Sequence, residues 1–301
     1  MIETSQLQTL VAVANAKSFS KAAIVLNVTQ SAISQSIKNL ETKLNIVIFK
    51  RSGKLIFLTS EGEKLFNFAN NYLKKLEDTI LDLQENKSQM KGEVRIGTLA
   101  GIGKSWLAHE ILLYAKDFNE LSLSVKLDQE ENLLKDFENN NLDILILPEE
   151  NVPNHCEKVF FVEEKSSLVY PKYNFPFEIS NDLNLKKIET IPLIFFENND
   201  QLFFRWCKIK FKNIPKKLNV RFTVNSHGNM LFAVSEGLGM AVIPNHVLNR
   251  SYFKDKVIKL GEKFEISSSK LYLVYQSESK HIFRINKTIE RLMNDKKSFI
   301  L

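Results

Sequence analysis

Leu7, Leu10, Val11 and Ala14 recur at helical spacing near the start of the chain and predict a first amphipathic helix. The segment "KSFS" interrupts it, and Ser20 is placed to cap a short second helix, "KAAIVL". Ala22 and Ala23 are small enough to let another helix cross closely. "NVT" reads as a tight turn, with Thr29 capping a third helix from about Gln30 to Leu44. On that helix Ile33, Ile37, Leu40 and Leu44 follow at 4, 3 and 4 residues and form a buried stripe. Ser31, Ser34, Gln35, Lys38 and Thr42 occupy another face that carries no acid. Two helices joined by so short a turn make a helix-turn-helix. The following "NIVIFKRSGKLIFLT" alternates as strand, Ser52-Gly53 reversal and strand, which is a wing.

A helical pattern without proline then runs from Ser60, paired with Glu63 as a capping box, to about Asn86. Leu65, Ala69, Tyr72, Leu76, Thr79 and Leu83 are spaced 4, 3, 4, 3 and 4, the narrow seam of a coiled coil. That predicts a dimerising linker helix. Phe66, Phe68, Leu73 and Ile80 make other faces apolar too, so packing against its own chain is the alternative. "ENKSQMKGE" reads as a hinge.

Beyond Glu93, β-rich runs such as "VRIGTL", "LDILIL", "VFFVEEKSSLVY" and "GMAVIP" alternate with amphipathic segments such as "WLAHEILLYAKDF" and "HIFRINKTIERLMN". The alternation predicts an α/β region of two small lobes with a ligand cleft at the strand C-termini.

Composition adds limits. The chain has 301 residues, 44% hydrophobic and 25% charged, as expected of a globular protein of two or three domains. No apolar run approaches the roughly 18 residues of a membrane helix, and Glu3 stands where a signal peptide would carry positive charge. A cytoplasmic protein without membrane association is the expectation. Cys156 and Cys207 are too few for a disulfide framework and read as ordinary thiols rather than a redox pair. No Cys/His cluster suggests a metal.

The net charge of +6 is concentrated. Lys17, Lys21, Lys38, Lys43, Lys50, Arg51 and Lys54 face one acid, Glu41, so seven minus one accounts for the whole excess. A short basic segment containing a winged helix-turn-helix is the footprint of nucleic-acid binding. Short hydroxyls, an amide and a lysine suit base edges and phosphates in a major groove.

The segment "SFSKAAIVLNVTQSAISQSIKNLETKLNIVIFKRSGKLIFLTSEGE" closely resembles the DNA-binding segment of the LysR-type transcriptional regulators. Phe19, Ala22, Ala23, Leu26, Gln30, Ala32, Ser34, Ile37, Leu40, Glu41, Leu44, Phe49, Arg51, Leu58, Thr59 and Gly62 carry the match. Thr29 replaces a usual serine, Asn45 a usual glycine and Val47 a frequent proline; none removes the DNA-binding pattern. The resemblance implies Gln30, Ser31, Ser34, Gln35 and Lys38 as groove-facing residues. The wing would add Lys50, Arg51 and Lys54, with Arg51 at phosphate or minor groove.

The resemblance extends more loosely over the rest. It implies a winged helix-turn-helix over residues 1–59, a dimerising linker helix and hinge over 60–90, and an effector-binding domain over 91–301. That domain would resemble type 2 periplasmic binding proteins, with lobe I at 91–163 and 266–301 and lobe II at 164–265. The crossings are expected near Val162–Glu164 and Ile266–Ser268. The partners implied are double-stranded DNA, a second copy of the chain in a homodimer or homotetramer, a small-molecule effector and, in some regulators of this type, RNA polymerase.

"RIGTLAGIGKSW" looks at first like a phosphate-binding loop. Such a loop needs G-x-x-x-x-G-K-[ST], but five residues before Gly103 stands Thr98, and Gly97 is six away. The reading that survives is strand, glycine loop and helix start facing a cleft. Thr98, Gly101, Gly103, Lys104 and Ser105 are the first-lobe effector candidates, with Gln129 and Pro148 after the next strands. Glu197, Asn198, Asn225 and Ser226 follow strand ends in the second lobe. His246, just after Pro244, reads as a helix-start residue. An enzyme or a solute-binding protein with an appended helical segment is the rival. The chain offers no catalytic constellation or cofactor loop for the first, and no signal peptide for the second.

Overall fold

A computed structural model describes residues 2–52, 55–84 and 90–300. The side chains of Arg51 and Leu83, all of Lys54, and residues 85–89 of the expected hinge lie outside the described residues. The chain divides into two compact units, residues 1–89 with 138–141, and 90–137 with 142–301.

In the first unit, α1 (Thr4–Ala16), α2 (Phe19–Val25) and α3 (Gln30–Leu44) precede an antiparallel pair, β1 (Phe49–Ser52) and β2 (Leu55–Leu58), and then α4 (Ser60–Gln84). Ile33, Ile37 and Leu40 meet Leu10, Val13, Ala22 and Ile48 in one core, as the α3 stripe requires. Thr29 caps α3 by accepting from the Ala32 N–H at 3.2 Å, and Asn45 ends it in the left-handed region at φ 53°. Two caps differ from expectation. α2 is capped by Ser18, which accepts from Lys21 N–H, because Phe19, whose ring meets Phe49, already belongs to the helix and leaves Ser20 inside it. α4 is capped by Thr59 rather than by a Ser60–Glu63 box. The Thr59 hydroxyl accepts from Gly62 N–H at 2.9 Å and donates to the Val47 carbonyl at 2.6 Å, so one side chain fixes both the helix start and the wing.

The α4 seam is divided as well. Leu65 and Ala69 pack into their own unit's core beside α1, so α4 and the winged domain lie in one compact unit. Tyr72 and Thr79 are exposed and Leu76 half-buried.

The second unit opens with β3 (Gly92–Thr98), α5 (Ala100–Ile102), a π-helical segment (Gly103–Leu107) and α6 (Ala108–Ala115). β4 (Leu121–Leu127), α7 (Glu130–Glu138), β5 (Ile144–Pro148) and the long β6 (Glu157–Pro171) follow. Next come α8 (Leu185–Ile188), β7 (Pro192–Phe195), α9 (Gln201–Phe211), β8 (Asn219–Thr223), α10 (His227–Ser235), β9 (Ala241–Pro244), α11 (Asn245–Arg250) and β10 (Val257–Lys259). β11 (Ile266–Tyr275), α12 (Phe283–Asn294) and α13 (Lys296–Ile300) complete the chain's described elements.

Among the described residues the main sheet runs β10-β6-β11-β5-β3-β4, with β9 also paired to β6 and a separate parallel pair β7-β8. β3 lies parallel to β4 and β5, while β11 is antiparallel to β5 and β6. Two strands join the lobes. β6 carries Phe161 and Val162 into the core with Val94, Trp106 and Ile285, and Leu168 into the core with Phe203 and Trp206. β11 does the same in reverse, with Ile266 in the second core and Leu271 and Leu273 in the first. Between these apolar stretches lie Glu164 and the buried Ser166, Ser167 and Ser268. A polar waist thus separates two apolar cores along continuous strands.

Candidate DNA-binding face and effector cleft

Gln30, Ser31, Gln35 and Lys38 are exposed on one side of α3, and Ser34 is half-buried beside them. Gln35 donates to Asn39 Oδ1 at 2.8 Å, and Ser31 Oγ lies 2.9 Å from Thr29 Oγ1. Lys50 is exposed on β1. Sequence reading gave no role to Glu41, the one acid in the basic segment. Its carboxylate accepts from the Ile48 and Phe49 N–H groups at 2.7 and 3.3 Å, so it is turned to the base of the wing. Lys43 is also structural, donating to Glu3 and Gln6 at 3.2 and 3.1 Å on α1 and its cap. Apart from the small Ala32, what remains outward on α3 is polar or positive, the character that phosphates and base edges require.

The second unit contains a cleft of about 1530 Å³. Gly101, Lys104, Ser105, Gln129, Pro148, Glu197, Asn225 and Ser226 line it; Thr98, Gly103 and Asn198 do not. Thr98 is fully buried and donates to the Ile146 carbonyl at 2.9 Å, tying β3 to β5. Gly103 is a packing glycine. A Cβ there would stand 1.9 Å from Leu127 Cδ2, so the segment can rest on β4 only without a side chain. Asn198 is exposed away from the cleft lining. Ser226 lines the cleft while its hydroxyl caps α10 through Asn229 N–H at 3.4 Å.

Glu164, Arg205, His227, His246 and Ser268, to which the sequence reading gave no cleft role, also line it. His246 is no simple helix-start residue. Its side chain is 2% exposed, with Nδ1 2.6 Å from Ser105 Oγ and Nε2 2.9 Å from Glu164 Oε1. Glu164 also accepts from Ser268 Oγ at 3.0 Å, which receives a bond from Ser166. Ser105 and His246 stand 141 residues apart, and no local pattern signals such a pair. His227 lies against Phe196, with centroids 4.7 Å apart and the rings tilted by 32°. Burial pushes its imidazole down to about 4, against the opposing pull of Glu164. Burial likewise pushes Asp200 up, although it accepts from Phe196 and Phe203 N–H groups and caps α9. Arg205 donates to the Ser268 carbonyl and lies 3.9 Å from Glu150.

Other chemistry is sparse. Burial pushes the Cys207 thiol up to about 12, which suppresses the reactive thiolate. Among the described residues no cluster of His, Cys, Asp and Glu could hold a metal, and no helix is long and apolar enough to cross a membrane.

A winged helix-turn-helix combined with a two-lobed α/β unit around a cleft defines a class, DNA-binding regulators with a ligand-binding domain. Residues 4–63 match the bacterial regulatory helix-turn-helix proteins of the lysR family, and residues 87–295 match the LysR substrate binding domain. The chain belongs to the LysR family of transcriptional regulators, with a helix-turn-helix DNA-binding domain and an effector-binding domain.

Relatives agree. A probable RuBisCO transcriptional regulator of Trieres chinensis is 28% identical over 255 residues, 81% of each chain. The transcriptional activator CmpR of Synechocystis is 24% identical over 276 residues, covering 90% of this chain and 88% of the other. Among solved structures, a full-length OxyR variant from Pseudomonas aeruginosa superposes with a TM-score of 0.70 at 18% identity, over 99% and 95% of the two chains. Full-length LysG of Corynebacterium glutamicum, with its effector arginine bound, gives 0.61 at 20% identity over 98% of each. At such identities the structures establish shared fold.

Proposed function

We propose that the chain is a cytoplasmic homodimer or homotetramer that reads double-stranded DNA through α3 and the wing and changes its promoter contacts when a small molecule occupies the cleft. The acid-free outer face of α3 carries this reading, because its side chains supply both groove donors and phosphate contacts. Gln30, Ser31, Ser34, Gln35 and Lys38 take the groove, and Lys50, Arg51 and Lys54 the flanking backbone. Exposed Phe68 and Tyr72 on α4, with Leu76, extend the pairing seam left free by Leu65 and Ala69. Cleft residues Gly101, Lys104, Ser105, Gln129, Pro148, Glu197, Asn225 and Ser226 surround the effector, as the arginine of LysG occupies a protein of this fold. The chain acts by binding, without catalysis, metal or cofactor, and RNA polymerase is the partner through which occupancy reaches transcription.

The experiment is binding to duplex DNA from the region upstream of the protein's own coding sequence across a salt series. Specific binding that weakens steeply with salt is expected, since each phosphate contact contributes about 0.9 to the log–log slope. Gln35→Ala should relax base preference by about 1–3 kcal/mol at one position, and Arg51→Ala should weaken all sequences evenly. Absent or salt-insensitive binding overturns the reading.

A further inference from the structure

Ser105, His246 and Glu164 form a hydrogen-bonded chain across the cleft floor, and each comes from a different element. Ser105 lies on the π-helical segment, next to Trp106 and Leu107 of the first core. His246 lies on α11, next to Val247 and Leu248 of the core that packs around β9. Glu164 lies on β6 at the polar waist. Both imidazole nitrogens are engaged, at 2.6 Å by Ser105 and 2.9 Å by Glu164.

The number of protons on the ring therefore sets which way the Ser105 hydroxyl points. With one ring proton, Nε2–H donates to the Glu164 carboxylate and Nδ1 accepts from Ser105, whose O–H is then committed to the ring. Ser105 offers the cleft only an oxygen lone pair in that state. With two ring protons, Nδ1–H donates to Ser105 Oγ and the serine O–H is released. Its other acceptor among the described residues is the Ile102 carbonyl, 3.4 Å away. The released hydroxyl is a donor facing the cleft.

We infer that the effector is an oxyanion, a carboxylate or phosphate, that accepts a hydrogen bond from Ser105, and that its binding is coupled to uptake of one proton by His246. This rests on the cleft being the effector site. Lys104, the residue before Ser105, is exposed, lines the cleft and has no ion-pair partner among the described residues, as does Lys208 on α9. Most acids on the lining already have partners. Asp200 caps α9; Asp128 accepts from Gln129 N–H and Asn132 and pairs with Lys126; Glu164 holds His246 and Ser268. Glu150 faces Arg205, which leaves Glu197 as the unpaired acid of the lining among the described residues.

The elements packed around α11 bring further titratable groups. These are Lys104 on the π-helical segment, Glu163, Glu164 and Lys165 on β6, His227 on α10, Lys254, Asp255 and Lys256 in the turn after α11, and Lys296 and Lys297 on α13, besides Arg250 on α11 itself. Among them Glu164 alone bonds the imidazole, and His227, held neutral down to about pH 4, does not compete for the proton. The proton comes from solvent, so the site gains one positive charge as the anion arrives.

The test is thermal unfolding of the full chain in a buffer free of carboxylate and phosphate, at about pH 6 and about pH 8. The probes are sodium phosphate, malonate and succinate, against sodium chloride of equal ionic strength. At least one anion should raise Tm by about 2–4 °C at the lower pH and by half that or less at the higher. Ser105→Ala, which removes only the hydroxyl and leaves His246 on Glu164, should abolish the rise at both. His246→Gln should make the response equal at the two pH values; if it does not fold, Ser105→Ala decides. No rise with any of the three anions, a rise independent of pH in the wild type, or a rise retained in Ser105→Ala overturns the inference. A gel shift with duplex DNA on the same preparation separates the two readings, because loss of DNA binding counts against the regulator and not against the anion site.

Discussion

Gly62 has no room for a side chain. A Cβ built there would lie 2.3 Å from the Ile48 carbonyl oxygen, a backbone atom that cannot rotate away. Gly62→Ala should cost about 1–3 kcal/mol by forcing the wing off α4, read as a lower denaturation midpoint. Glu41→Ala should cost about as much, roughly 1.5–3 kcal/mol, because two N–H groups at the start of the wing lose a charged acceptor. It would also add net positive charge, so weaker DNA binding in this variant would have to come from a disordered wing. His227 makes a prediction with a definite sign. Its folded value near 4 lies below the ordinary 6.5, so between those limits the unfolded chain binds more protons. The contribution is complete above about pH 6.5 and is lost as pH falls toward 4. His227→Asn should flatten the pH dependence of unfolding in that window. At this scale the sequence is uneven as a guide. Thr29 and Asn45 announce their caps, since their neighbours within four residues decide their geometry. Glu164, Ser268 and His246 announce nothing, since their partners are brought in by tertiary contacts.

Among the elements, α3 and α4 show how far periodicity reaches. The 4-3-4 spacing of Ile33, Ile37, Leu40 and Leu44 has one available core, and the helix faces it. α4 has two partners to choose between. Its period specifies a stripe without saying which surface meets it, and the chain's own α1 takes Leu65 and Ala69. The large apolar side chains it leaves exposed include two aromatics. Phe68 is 61% exposed and Tyr72 42%, with rings stacked at 6.2 Å and 11°. Replacing both with serine should leave Tm nearly unchanged and move the protein toward monomer in light scattering, whereas Ala69→Ser, inside the unit's core, should lower Tm. An unchanged mass in the double variant would move the pairing surface off these rings. The glycine loop between β3 and α6 was half legible. Spacing argues against a nucleotide hydrolase, but only packing on Leu127 shows why Gly103 is needed.

For the whole molecule, effector and DNA must be linked in both directions. If an anion in the cleft changes DNA affinity by some factor, saturating DNA must change anion affinity by the same factor. The anion titration repeated with operator DNA measures that factor, and a value of one would mean occupancy has no route to transcription. The sequence supports the α/β class and the two lobes, because alternating strands and helices bury recognisable runs. It does not reveal that the lobes share one sheet, which depends on how β6 and β11 pair over long sequence separation.

That pairing carries a consequence for biosynthesis. β11 is the last strand to leave the ribosome, yet it belongs between β6 and β5, in the middle of the sheet. The facing edges of β5 and β6 must stay open until the final stretch of chain arrives to fill the gap. A stop codon shortly before Ile266 would therefore remove the sheet's centre rather than its margin. Such a product should collect in the insoluble fraction even though nearly nine-tenths of the polypeptide, including the whole DNA-reading unit, has been made.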